Sequence, residues 1–390
     1  MDLDFPDEQQ RFREEVRTWL AENRPREQRP SDPAAQREYD LAWQRTQWEG
    51  GWAGIAWPAE YGGRGLSLLE QLIWYEEYGR AGLPAMDMNF VGLHHAGPTL
   101  IACADEEQKA AHLPPILKGE VVWCQGFSEP GAGSDLAALN TRAEIDGDHL
   151  VVTGQKIWTS FASEADWQEL LVRTGRGGGK HDGITWVICD MHSPGIDVRP
   201  IETMNGDKHF CEVFYDEVRI PLTNVVGELD RGWSVAMATL SFERGTAFMA
   251  GQVRLATTVE ELIALARERP GPGGRGSMLD DTETARRLAT ARAEVAALRA
   301  VTYLGVSRAA RTGTPGPEGS IVKLYFAELE QKVARLAMDL LGRDALRAVP
   351  REDPHGWTGR YLTAFSSSIG GGTSEIQRNI IGDRVLGLPR

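Results

Sequence analysis

Apolar residues along the chain recur at two different periods, and the change of period divides it into three regions. Phe12, Val16 and Trp19 recur at i, i+4 and i+7 behind the acidic opening DLDFPDEQQ, and predict a helix. GLSLLEQLIWYEEYGR (65–80) predicts a second helix. DEEQKAAHL (105–113) predicts a third, which Pro114 and Pro115 should stop, because proline lacks the amide hydrogen and crowds the preceding turn. WPAEYGGRG (57–65) reads as a loop. Residues 1–120 are therefore expected to form a helical N-terminal domain.

From 121 to 230 the runs shorten to strand length. TRAEIDGDHLVVTG places the turn signal Asp146-Gly147 between two extended stretches, which predicts a hairpin. LLVRTG, GITWVICDM, IDVRPIE and CEVFYDEVRIP follow, and in the last Cys211, Val213 and Tyr215 alternate with Glu212, Phe214 and Asp216. This is a small central β-domain. From 231 to 390 the helical period returns. Trp233, Met237, Leu240 and Ala247 form one stripe, and Leu288, Val295, Leu298 and Val301 another. Val322, Phe326, Leu329, Val333, Leu336 and Leu340 form a third at spacings of four and three. Long amphipathic helices joined by RPGPGGRG (269–276) and TGTPGPEG (312–319) predict a bundle. The fold class is α+β: helical N-domain, central β-domain, C-terminal four-helix bundle.

Composition narrows the classes of function. A chain of 390 residues with 42% hydrophobic content buries a sizeable core. No apolar run reaches the length of a membrane span. Six acidic side chains in the first 20 residues argue against a signal peptide. Four cysteines far apart in sequence (Cys103, Cys124, Cys189 and Cys211) favour reduced thiols, and with them a cytoplasmic location. A formal net charge of −14 excludes nucleic acid as the natural partner. An anionic ligand would have to be drawn in by local arginines.

Four stretches carry candidate chemistry. In FSEPGAGSD (127–135), Pro130, Gly131 and Gly133 hold a tight turn whose amides can approach a ligand, and Ser128 and Ser134 add hydroxyls. Taken alone it is equally a glycine-rich surface turn, and it is not the GxGxxG of a dinucleotide fold. GQKIWTS (154–160) places Trp158 and Ser160 among strand residues, where a tryptophan is more often core than cofactor-stacking. In LSFERG (240–245), Arg244 falls near the centre of the expected apolar stripe and Glu243 at its border, although a mis-phased helix would simply expose both. SSIGGGTSEIQRN (367–379) sets three glycines before a helix that Thr373 or Ser374 could cap, with amides open to an anion. The plainer alternative there is a flexible linker. His94-His95 lacks the spacing and partner ligands of a metal site.

Together and in this order, the stretches resemble the acyl-CoA dehydrogenase family of flavoproteins over nearly the whole chain. WCQGFSEPGAGSDLAALNTRAEIDGDHLVVTGQKIWTS is similar to the family's β-domain signature, and GGGTSEIQRNIIGDRVLGLPR to its C-terminal one. The resemblance implies FAD between the β-domain and the bundle. It places Phe127, Ser128, Gly133 and Ser134 along the flavin and the thioester arm, Trp158, Thr159 and Ser160 against the isoalloxazine, and Thr373 and Glu375 at C-terminal FAD contacts. It assigns Ser134, Phe242, Arg244, Gly371 and Gly372 to the substrate side. The implied chemistry is α,β-dehydrogenation of an acyl-CoA thioester, in which a carboxylate removes the α-proton and the β-hydrogen leaves as hydride to flavin N5.

Many family members place the catalytic Glu immediately before the Gly-Thr of the C-terminal motif. Here the matching position is Gly371, which carries no side chain. A second family pattern puts the base on the bundle's first helix in a Glu-Arg pair, and Glu243-Arg244 matches it. Glu243 is therefore the expected base. The resemblance also implies an electron-transfer flavoprotein as acceptor and a homotetramer. Two departures make a hetro-oligomer with a related chain the alternative: RERPGPGGRGSM replaces the usual Arg-x-x-Phe-Gly segment, and Asp339 stands where a Gln is usual. A non-catalytic partner subunit, and a flavin oxidase or monooxygenase on the same fold, are the competing functional readings.

Overall fold

The computed structural model describes residues 5–84, 87–175, 178–242, 248–312, 316–347, 353 and 355–389. Among the described residues, five α-helices make up the N-terminal layer: α1 (Asp7–Asn23), α2 (Pro33–Glu49), α3 (Leu68–Arg80), α4 (Gly97–Cys103) and α5 (Glu106–Lys118). Helix α1 buries Val16 and Leu20, one turn apart, with Phe12 and Trp19 packed beside them. Helix α2 starts on Asp32, which accepts from the Ala35 amide at 2.9 Å, and α3 starts on a Ser67/Glu70 capping box. A π-helical turn, Gly92–Ala96, leads into α4.

Helix α5 corrects one expectation. It does not stop at the prolines but runs through Pro114 and Pro115 to Lys118, where Gly119 ends it in a left-handed conformation at φ +62°. Leu113, Ile116 and Leu117 form one apolar face spanning both prolines, and all three are buried. Burying that face outweighs the two amide hydrogen bonds the prolines cannot make.

Among the described residues, seven strands form the central sheet: β1 (Trp123–Gly126), β2 (Arg142–Asp146), β3 (His149–Ser160), β4 (Trp167–Arg173), β5 (Ile184–Asp190), β6 (Ile196–Ile201) and β7 (Phe210–Pro221). Their order is β1-β4-β2-β3-β7-β6, with β5 paired to β4. The predicted hairpin closes with Asp146 opposite His149, so its loop residues are Gly147 and Asp148. In β7 Cys211, Val213 and Tyr215 point inward as the alternation requires, and then the phase slips. Val152 faces Val218 while Gly154 faces Tyr215, so β7 holds one extra residue, and Glu217 absorbs it at φ +52°.

The C-terminal helices are α6 (Gly232–Phe242), α7 (Phe248–Glu268), α8 (Thr282–Thr312), α9 (Gly319–Leu341), α10 (Trp357–Thr363) and α11 (Ser374–Ile380). Most of the stripes predicted on α8 and α9 is buried, with Leu288, Val295 and Leu298 sharing a core with Leu329, Val333, Leu336 and Leu340, whereas Val301, Val322 and Phe326 are only partly covered. The stripe on α6 is rotated from its expected phase. Gly232, Val235, Ala236 and Thr239 are buried, whereas Met237 is 38% exposed and Trp233 and Leu240 are only partly covered. Alternating small and large residues on α6 leave its hydrophobic content on several sides, so period alone could not choose the face. The helical layers are tied together by Glu76 of α3, which is 0% exposed and pairs with Arg13 of α1 at 2.7 Å and with Arg299 of α8.

Candidate active site

Two separately predicted stretches meet at one edge of the sheet. FSEPGAGSD follows β1, and its first half closes as a tight turn through reciprocal Glu129–Ala132 backbone bonds of 3.0 Å. The Ser128 carbonyl accepts from the Ile157 amide of β3 at 3.0 Å, which joins this loop to KIWTS. Beneath the loop lies an ion pair that sequence reasoning missed. Lys156, 0% exposed, donates to Glu129 Oε1 at 2.8 Å and to the Phe127 carbonyl at 3.1 Å. Glu129 also accepts from the Asn140 and Thr141 amides at 2.6 and 2.8 Å. Burial pushes the Lys156 ammonium down to about 8, against the pull of Glu129. Burial pushes the Glu129 carboxyl up, but the Lys156 charge and the hydrogen bonds from Lys156, Thr141 and Asn140 hold it below the usual range. The pair is thus ionised at neutral pH and fastens both ends of the glycine turn. A charged residue at an inward strand position was the available signal for it.

The turn itself faces open space. A Cβ placed on Gly131 or Gly133 would meet no atom within 4 Å, so packing within the chain does not require glycine there. The open faces leave room for close approach of a ligand's flat or bulky group. On β3 the register slips a second time: Lys156 faces Val213 and Thr159 faces Cys211, so β3 carries the extra residue. Trp158 sits in that bulge at φ +62°, a region that non-glycine residues seldom occupy, and its indole is 56% exposed. Its nearest ring is Phe210, edge-on at 6.0 Å.

The predicted residues divide by exposure. Gly133, Ser134 and Trp158 are exposed, and Ser128 and Ser160 half-buried, so their side chains or open faces can meet a ligand. Phe127 and Thr159 are turned into the core, at 3% and 0% exposure, and only their main chain can do so. The Thr159 hydroxyl is buried without a hydrogen-bond partner. Phe242 at the end of α6 and Met237 at its middle are each 38% exposed. Glu243 and Arg244, which follow directly, lie outside the described residues.

The C-terminal stretch behaves as a capped turn, not a linker. Thr373 caps α11 by accepting from the Ile376 amide at 3.3 Å, while Ser374 is buried. Gly371 and Gly372 adopt left-handed φ of +65° and +92°. Gln377, 1% exposed, reaches back to the Gly371 and Gly372 carbonyls at 3.0 and 3.3 Å and fixes the turn. A Cβ on Gly372 would come within 2.8 Å of that amide nitrogen. Glu375 lies exposed in the first turn of α11, its carboxyl lowered by its own backbone amide and by the Thr373 hydroxyl. Lys323 of α9 holds the preceding Ser367 carbonyl at 2.6 Å. Asn205, in the β6–β7 connection, donates to Thr363 of α10 at 3.0 Å and so links the sheet to this segment.

The two departures from the family pattern are engaged within the chain. Asp339 pairs with Arg287 at 2.5 Å. The 267–278 stretch closes into a small hairpin through a Pro270–Ser277 bridge, and Arg269 binds the Leu341 carbonyl at 3.1 Å and Asp344 at 2.5 Å. His94 and His95 serve packing and polar contacts. His94 lies against Phe90, its ring pushed down to about 3 by burial and then by His95, and His95 contacts Gln125 at 3.2 Å. Among the described residues no group of three or more His, Cys, Asp or Glu is placed to hold a metal ion. Nor is any helix long and apolar enough to cross a membrane.

An open glycine turn, an exposed indole on a strand bulge and a capped helix start leave room for an extended ligand with a flat ring. Family models for the acyl-CoA dehydrogenase N-terminal, middle and C-terminal domains match residues 6–120, 124–218 and 230–386, and the chain belongs to the acyl-CoA dehydrogenase family. It is 39% identical to the acyl-CoA dehydrogenase IpdE1 of Mycobacterium tuberculosis over 388 residues, covering 97% of each chain. Among solved structures it is similar to the Tcur3481-Tcur3483 steroid ACAD, at a TM-score of 0.86 and 33% identity, and to the ChsE4-ChsE5 complex from Mycobacterium tuberculosis, at 0.82 and 33%, with 100% of both chains covered in each case. The family is FAD-dependent and dehydrogenates acyl-CoA thioesters.

Proposed function

We propose that this chain carries out α,β-dehydrogenation of an acyl-CoA thioester with Glu243 as the base that removes the α-proton. The observation that carries this reading is Gly371. The position where many relatives carry the acid has no side chain, stands at φ +65° and is pinned by Gln377, so the acid has to come from elsewhere. Glu243, directly after the exposed Phe242 of α6, matches the second family pattern. A carboxylate in a dry pocket is a stronger base than one in water, which suits abstraction of a weakly acidic proton near neutrality. Bound FAD would supply the two-electron acceptor for the β-hydrogen, leaving as hydride to N5. Gly133, Ser134 and Ser128 would line the cofactor and the thioester arm, Trp158 and Ser160 would lie against the ring, and Thr373 and Glu375 would meet it from the C-terminal side. Phe242, Arg244 and Gly372 would border the acyl group. Electron-transfer flavoprotein is the proposed acceptor, and the cytoplasm the proposed location.

A hetero-oligomer is the assembly favoured over a homotetramer. Asp339 and the 267–278 hairpin, which by family likeness would reach a neighbour's cofactor, are engaged inside the chain. The ChsE4-ChsE5 relative is itself described as a complex of two chains. The steroid ACAD likeness makes ring-bearing acyl-CoA thioesters the first substrates to try. The test is anaerobic titration of the yellow protein with a panel of straight, branched and steroid-derived acyl-CoAs. At least one should bleach the flavin within seconds, and a protein that no acyl-CoA bleaches, alone or with its partner chain, contradicts the proposal.

A further inference from the structure

Outside the four motif stretches, a trough of about 240 Å³ lies where the end of α3 meets the middle of α7 and α8. Its floor is apolar. Val253, Ala256 and Val259 come from one face of α7, and Val295 and Ala296 from α8. Val259 and Val295 also belong to the bundle core, so packing beneath the trough holds its floor in place. Ala256 and Ala296 carry one side-chain carbon each, and the seam between the two helices stays open beside them. Gln252 lines the trough as well, but it is 2% exposed and exchanges hydrogen bonds of 2.8 and 3.1 Å with Thr302, so its amide is already engaged.

The rim is cationic. At one end stand Arg80 of α3 and Arg299 of α8, with side chains 42% and 43% exposed and so open to a ligand from solvent. Both lean on the buried Glu76 and Glu77. Two arginines of α1 claim the same carboxylates: Arg13 lies 2.7 Å from Glu76 and 2.5 Å from Glu77, and Arg17 lies 3.0 Å from Glu77. Four guanidiniums thus share two carboxylates, and counting Glu14, whose charge Arg17 feels, makes it four against three. A positive charge is left over at this end, in a chain whose formal net charge is −14. Donors are left over too. A guanidinium carries five N–H groups, and Arg299 Nε is buried without a hydrogen-bond partner. At the other end Arg292 and Glu260 neutralise each other at 2.7 Å. An apolar trough with a spare positive charge at one end matches an amphiphilic anion, and a guanidinium fork matches a carboxylate best.

We propose that this trough is a ligand site separate from the proposed active site, taking an aliphatic carboxylate with its head on Arg80 and Arg299 and its chain along the valine floor. A dry cavity of ~150 Å³ takes the six carbons of benzene, so the chain has room for roughly eight to ten carbons. The site depends on neither FAD nor the identity of the base, and either reading can fail without the other. Calorimetric titration of the FAD-loaded protein with octanoate tests it, with the flavin absorption spectrum recorded alongside. Octanoate should bind with a dissociation constant on the order of 0.1–1 mM and leave the flavin spectrum unchanged. From butanoate to octanoate, affinity should rise roughly fourfold per methylene. Octylamine, with the same chain and the opposite charge, should bind ~10-fold more weakly or worse. Ala296 is exposed on α8, so Ala296→Leu fills the trough with a good helix former and should cut octanoate affinity by about 10-fold. Arg80→Gln removes part of the head site while Arg13, Arg17 and Arg299 still hold Glu76 and Glu77, and should cost ~3–10-fold. The two variants probe the chain and the head separately, so the location stays testable if one of them folds poorly. No binding at ~10 mM octanoate overturns the proposal. So does equal binding of octylamine, binding that perturbs the flavin, or unchanged octanoate affinity in the variants that fold.

Discussion

Glu129→Gln should destabilise the protein more than Lys156→Met, although each removes one half of the same ion pair. Lys156 is 0% exposed and has two acceptors, the Glu129 carboxylate at 2.8 Å and the Phe127 carbonyl at 3.1 Å. With Gln at 129 the ammonium keeps only neutral acceptors, and a buried charge stripped of its counter-charge costs about 3–5 kcal/mol. Gln also brings an NH2 group to a site already crowded with donors, the Asn140 and Thr141 amides. With Met at 156 the volume is filled and the carboxylate keeps both amides. The ammonium's two hydrogen bonds are lost, about 1.5–3 kcal/mol for the one to the carboxylate and about 1 kcal/mol for the one to the Phe127 carbonyl, while the two amides still stabilise the carboxylate. The double variant buries no charge and should be more stable than Glu129→Gln alone. Because the pair fastens the loop proposed to line the cofactor, weakening it should also loosen FAD. If ~3 kcal/mol of loop ordering is shifted onto binding, the dissociation constant rises about 10²-fold. Denaturation midpoints read the first effect, and FAD fluorescence titration of apoprotein reads the second. A Glu129→Gln variant as stable as Lys156→Met, or a double variant losing the sum of the two, refutes the reasoning.

Further outcomes follow from the same contacts. Gly371→Glu should lower activity rather than raise it, because the new side chain must accept φ +65° and brings a second carboxylate to the pocket; steady-state rates and FAD content measure this. Combined as Glu243→Gly/Gly371→Glu, a single base on the opposite side of the pocket should return part of the activity, measured against Glu243→Gly. Stability should fall in acid as the Glu76 and Glu77 pairs are lost. Burial alone raises both carboxyls, but Arg13, Arg299, Arg80 and Arg17 hold them below the ordinary glutamate value, so the stabilisation is complete above about pH 4.5 and disappears as pH drops through the lowered folded values. Thermal midpoints between pH 3 and 7 check the direction, and Arg13→Met should flatten the profile.

The motifs were legible in the sequence because they combine residues that ordinary packing seldom asks for together. Glycines at Gly131 and Gly133 that pack against nothing, and Gly371 and Gly372 at positive φ, are requirements of a ligand or a turn, and a linear reading can see them. The layers were legible because period 3.6 and period 2 separate cleanly in α8, α9 and β7. What escaped the sequence depended on competition between energies. Proline chemistry argues for ending α5 at Leu113, and the apolar face Leu113, Ile116 and Leu117 overrides it. Alternation gives the phase of β7 up to Tyr215, and the bulge at Glu217 inverts it. On α6 the large residues Trp233, Met237 and Leu240 point to one face, while the small Ala236 and Thr239 are the ones that fit against the N-terminal layer. Lys156 and Glu129 were visible as letters inside the two motifs, but their pairing appears only once β3 and the glycine turn are side by side.

The assignment of Glu243 is tested most directly by the Glu243→Gln variant, purified with FAD and mixed anaerobically with the acyl-CoA that bleaches the wild-type protein fastest. Gln is nearly isosteric with Glu and cannot take a proton, so the variant should remain yellow and bind the substrate while bleaching slows by about 10²–10⁴-fold. Bleaching at a near wild-type rate contradicts the account, and the base then belongs to a partner chain or to another residue of this one.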